Sequence, residues 1–93
     1  MANSFQPLNI TTNTTTVVKA GPAVLHAITL NTAGAAPNTI KLYNHPSSAT
    51  NLFATIDGTA TLASPFLYDV SLSNGLTIVT ASGTCADFTV SFE

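Results

Sequence analysis

The sequence predicts an all-β domain: a single small β-sandwich, jelly-roll-like, of seven to eight antiparallel strands. Three observations lead there. Apolar and β-branched residues recur with period two in short runs. The turn pairs Gly21-Pro22, Asp57-Gly58 and Asn74-Gly75, with loops such as TAGAAPN and HPSSATN, separate those runs at the roughly 8–12-residue spacing of sandwich strands. Nowhere is there a capped segment with a 3.6-residue apolar period. The 93 residues fit one domain.

Each element can be justified in turn. Residues 1–13, MANSFQPLNITTN, are polar, carry Pro7 and show no sustained alternation, so they are expected to form an N-terminal arm or an irregular edge segment rather than core. Phe5, Leu8 and Ile10 are its isolated apolar residues, placed either to pack on their own domain or to reach a neighbouring subunit. The sandwich is expected over residues 14–93. TTTVVKA (14–20) is β-branched and ends at Gly21-Pro22. Residues 23–31 alternate, with Val24, His26, Ile28 and Leu30 on one face and Leu25, Ala27 and Thr29 on the other.

Short strands follow at 40–44 and 52–56, the second closed by Asp57-Gly58. Residues 59–63 either extend that ribbon or form loop. Residues 66–72 place Phe66, Tyr68, Val70 and Leu72 on one face. Asn74-Gly75 comes next, and 76–81 returns, which predicts a tight hairpin. The last strand alternates Ala86, Phe88, Val90 and Phe92 with Asp87, Thr89 and Ser91.

Charge is scarce. Only 6% of residues are charged, against about 25% in an average soluble protein. There is no arginine, and Lys19 and Lys41 are the only basic side chains beside four carboxylates, Asp57, Asp69, Asp87 and Glu93. Nucleic-acid binding needs several cationic phosphate contacts, so nucleic acid is excluded as a partner. An anionic membrane surface is excluded on the same ground, and no apolar run is long enough for a membrane-spanning helix. The polar surface must be built from Thr, Ser and Asn. Charges are depleted at the centres of protein interfaces, so such a surface suits a domain covered by partners. The start MANSFQPLN lacks the basic and apolar regions of a secretory signal. Cys85, the only cysteine, allows no internal disulfide and reads as a small apolar residue at a strand start.

The residues that could carry chemistry do not cluster in sequence. His26 and His45 lie in separate elements with no second ligand beside them, so no metal site is expected. No Gly-x-Ser-x-Gly elbow frames a serine, and no glycine-rich phosphate loop is present. Asp57 is explained by its turn, while Asp69 and Asp87 are placed opposite the apolar face of their strands. His26 then reads as a partly buried strand histidine, with nothing in its sequence neighbourhood to act as a catalytic partner. The expectation is a protein that is not an enzyme, with no catalytic residues, no cofactor and no metal.

Three stretches, VVKAGPAVLHAITLNT, ATIDGT and LYDVSLSNGLTIVTASGT, together resemble a group of small all-β tailed-phage capsid decoration (cement) or head-fibre-like proteins. The resemblance covers about residues 14–93 and rests on strand and turn patterns. It implies a non-enzymatic virion protein, made in the host cytoplasm and seated on the outer capsid surface. Its partners would be the major capsid protein and its own copies, as a homotrimer. Phe5, Leu8 and Ile10 of the arm are the first candidates for partner binding, with Lys19, Lys41 and Tyr43 behind them. The arm would lie along a neighbour and add a strand to an exposed edge. Two alternatives stay open: a tail or head-fibre module binding host-surface glycans through Tyr43 or Phe53, and a cellular enzyme subunit.

Overall fold

A computed structural model describes residues 5–35, 38–57, 66–81 and 83–93, the side chain of residue 66 apart. It contains eight strands: β1 (Gln6–Ile10), β2 (Thr15–Lys19), β3 (Ala23–Thr32), β4 (Thr39–Tyr43), β5 (Leu52–Asp57), β6 (Phe66–Leu72), β7 (Leu76–Ala81) and β8 (Asp87–Phe92). They form two four-stranded sheets, ordered β1-β8-β3-β6 and β2-β7-β4-β5, with every pairing antiparallel. Each connection passes from one sheet to the other except β4 to β5, the one hairpin. Two sheets wound in this order make an eight-stranded jelly roll.

The core lies between the sheets. Leu25, Ile28, Ile40, Leu42, Phe88 and Val90 are completely buried there. Each buried side chain of this size contributes roughly 1.5–3 kcal/mol relative to an exposed one. In β8 the reading holds: Phe88 and Val90 are buried, and Asp87, Thr89 and Ser91 alternate with them.

Three sequence expectations are corrected. Residues 6–10 of the expected arm are an integral edge strand, paired with β8 from Gln6↔Phe92 to Ile10↔Phe88. Ile10 is 5% exposed and belongs to the core, and Leu8 packs against it. These residues escape a pattern search because only Leu8 and Ile10 of this short edge strand face inward. Residues 1–4 lie outside the described residues, as do 59–63.

Asn74-Gly75 does not close a hairpin, because β6 and β7 belong to different sheets. Its bend carries the chain across the sandwich, and Gly75 adopts φ +152°, a conformation that favours glycine. A Cβ there would sit 2.6 Å from the Lys19 carbonyl oxygen.

Finally, β3 does not keep a single alternation. Leu25 and Ile28, three apart, are both buried, because the register slips between Leu25 and Ala27 against both neighbours. His26 is the extra residue relative to β8, and on β6 the pair Tyr68-Asp69 opposes it. His26 therefore shares no face with Ile28 and Leu30. A bulge of this kind re-aims a side chain.

Candidate functional site

The bulge builds an acid–base pair. His26 Nδ1 lies 2.5 Å from Asp69 Oδ1, with side chains 36% and 66% exposed. The two are 43 residues apart in sequence, and only the β3–β6 pairing brings them together. The sequence neighbourhood of His26 offers it no partner; the sheet supplies one, Asp69, from a distant strand. Asp69 itself sits at φ +47°, in the left-handed region that non-glycine residues seldom occupy. Aspartate tolerates that backbone better than most, and the bulge requires it.

Phe5 completes the group. Its ring stacks on the imidazole with centroids 4.3 Å apart and planes 16° from parallel. Phe5, a candidate contact residue from sequence, thus meets its own domain. The Asp69 contact assigns a proton to Nδ1, which leaves Nε2 as the acceptor of the neutral ring. An imidazole held this way can accept a hydrogen bond at Nε2. Among the described residues no serine, threonine or cysteine side chain bonds to it. Among the described residues no three His, Cys, Asp or Glu side chains gather where a metal could sit.

A second polar group lies toward the middle of the same outer face. Asn9 Nδ2 donates to Asp87 Oδ1 at 2.7 Å, and Asn31 Nδ2 donates to the same oxygen at 3.3 Å. Both amides also reach Thr89 Oγ1, at 3.4 and 3.0 Å. These donors, Asn9 foremost, hold the Asp87 carboxyl below the usual carboxylate range. Neither asparagine was singled out by sequence reasoning, since they come from β1 and β3 and meet only across β8.

The other candidates are scattered. Lys41 and Tyr43 are half-buried on the outer face of the second sheet. Lys19, at the end of β2, lines an open hollow of about 230 Å³ with Pro22, Ala23, Val24, Ser71 and Glu93. Phe53, an exposed aromatic, lies near-perpendicular to Tyr68 with ring centroids 6.4 Å apart. Burial raises the Tyr68 hydroxyl above its ordinary value, and burial is also the main cause that raises the Cys85 thiol. A raised thiol is a poor nucleophile at neutral pH.

No family model, no curated protein and no solved structure matches this chain.

Proposed function

We propose that this chain is a non-enzymatic virion structural protein that decorates the outside of a bacteriophage capsid and stabilises it by bridging capsid subunits. The observation that carries the reading is the surface of the sandwich. With only 6% charged residues in the whole chain, its polar surface is supplied mostly by threonine, asparagine and serine. Such a surface is poor at repelling its own kind in solution and well suited to burial against a protein shell. The jelly roll supplies a thin, rigid slab, 17 Å in its shortest dimension, that can lie flat across a seam between subunits.

The partners in this reading are the major capsid protein and other copies of the chain, on the outer capsid surface. Reinforcement comes from area: each standard interface buries about 800 Å² per partner, and repetition over a shell adds avidity. Strand addition by an N-terminal arm has less room than the sequence suggested, because residues 6–10 already complete their own sheet.

The test is copy number. In purified particles, quantitative mass spectrometry is expected to find this chain in amounts comparable to the major capsid protein. A few copies per particle would instead move it to a tail or head fibre, where glycan binding at Phe53 and Tyr43 becomes the reading to examine. Absence from particles would overturn both.

A further inference from the structure

We propose that His45 is a proton-operated clasp: its neutral ring ties down the tip of the β4–β5 loop, and taking up a proton releases that tip. The inference concerns the chain alone, so particle copy number does not bear on it.

The donors around the ring fix its state. The backbone N–H groups of Ser47 and Ser48 both donate to His45 Nδ1, at 3.1 and 3.0 Å. A backbone N–H can only donate, so Nδ1 is an acceptor and the proton of the neutral ring sits on Nε2. Ser48 Oγ stands 3.2 Å from the same nitrogen and 3.0 Å from Thr50 Oγ1, which extends the group to Thr50.

A turn that gathers the N–H groups just ahead of it is ordinarily closed by an Asp, Asn or Ser oxygen, and Asn-Pro or Asp-Pro is a common start for one. Here a histidine before Pro46 takes that place. Histidine differs in one respect. Imidazole in general takes up a second proton near pH 6.5, and both its nitrogens then donate. The Ser48 hydroxyl can turn to receive the new proton. The two backbone N–H groups cannot, and are left facing a donor. The bonds are therefore present at pH 8 and lost as pH falls through the imidazole range.

The release is local. At the base of the loop the Asn44 N–H donates to the Asn51 carbonyl at 3.0 Å, and the buried Thr77 Oγ1 donates to the His45 carbonyl at 2.8 Å. Neither bond uses the ring, so both stay, and the freed part is the exposed segment 47–50. The charged and titratable side chains on the elements around this loop are Lys19 on β2, Lys41 and Tyr43 on β4, Asp57 on β5, and Tyr68 and Asp69 on β6; β7 carries none. Lysine, tyrosine and aspartate as a rule keep their charge between pH 8 and pH 5. His26, on the other sheet, titrates in that window whatever stands at position 45, so it serves as the constant background.

NMR of the full chain between pH 8 and pH 5 tests the clasp. At pH 8 the imidazole nitrogens of His45 are expected to read as a bare Nδ1 and a protonated Nε2. Toward pH 5 the exchange protection of the Ser47 and Ser48 amides, corrected for the intrinsic pH dependence of exchange, is expected to fall about fivefold or more, while the β7 amides keep theirs. H45N offers an oxygen to the same two N–H groups, so its protection should hold within about twofold over that range. H45A offers nothing and should leave both amides unprotected at either pH. A protonated Nδ1 at pH 8, protection in the parent that ignores pH, the same fall in H45N, or protection kept in H45A would each overturn the proposal.

Discussion

The two ends of the sandwich are held together by different physics. At one end meet the β1–β2, β3–β4 and β7–β8 connections, and buried polar side chains join them. Asn38 is 1% exposed; its Oδ1 accepts from the Ala86 N–H at 3.1 Å, while its Nδ2 donates to Asn13 Oδ1 and the Ala81 carbonyl. Thr80 Oγ1 donates to the Thr12 carbonyl at 2.9 Å and accepts from the Thr14 N–H at 2.8 Å.

At the other end, the β2–β3, β4–β5 and β6–β7 connections rely mainly on close backbone approach and exposed bonds, with one buried hydroxyl, Thr77 Oγ1, donating to the His45 carbonyl at 2.8 Å. Gly75 is wedged under Lys19, His45 and Pro46. His45 Nδ1 gathers the N–H groups of Ser47 and Ser48 within its own loop, where water competes for them. A bonded group deep in the protein costs more to disturb than one that water can satisfy, so the ends should respond unequally to substitution.

The largest effect is expected at the polar end. Asn38→Ala strands the Ala86 N–H and removes the bridge to Asn13, costing about 2–4 kcal/mol. Urea unfolding reads this as a lower midpoint with an unchanged slope. A loss below about 0.5 kcal/mol would show that water replaces the side chain and that the ends are not so different.

At the opposite end Gly75→Ala should cost somewhat less, about 1–3 kcal/mol, from the left-handed backbone and the 2.6 Å approach to the Lys19 carbonyl. A Tm indistinguishable from the parent would mean that this end gives way freely.

The smallest effect concerns two carboxylates that look alike in the sequence. Asp69 and Asp87 both fall opposite the apolar residues of their strands. Asp87 sits where β3 shifts register between Leu30 and Thr32 and is held by two asparagine donors, while Asp69 is displaced onto the bulge beside His26. Because Asp87 titrates lower folded than unfolded, the stability it contributes is present at pH values above the ordinary carboxylate value of about 3.9. It is lost as pH falls through the lowered folded value. Asp87→Asn cannot lose a proton-linked contribution, so its Tm should fall less steeply than the parent's between about pH 4 and pH 2. Parallel Tm profiles would show that the asparagine bonds carry no proton linkage.

The strands themselves were legible because their signal is local. Residues 66–72 and 76–81 were bounded correctly from alternation and turn residues alone, and β8's inward face was read without error. The candidate site was far less legible. His26 was visible as a histidine on a strand, but Asp69 and Phe5 lie 43 and 21 positions away, and no local pattern connects them. The bulge that joins His26 to Asp69 leaves no mark in the alternation, because β-branched and small apolar residues occupy both faces of β3.

By itself the sequence determined the class of the fold. Period-two apolar runs bounded by turn residues admit no helix. Which sheet each strand joins was decided only by tertiary structure. Asn74-Gly75 can close a hairpin or carry a strand across the sandwich, and the choice fell to whichever sheet buries Leu72 and Leu76 together with the rest of the core. In the same way Gln6–Ile10 became a strand because β8 offered an edge to pair with, and Leu8 and Ile10 had a core to enter. Local propensity is read residue by residue, whereas pairing and register are set by the free energy of burying all the strands at once.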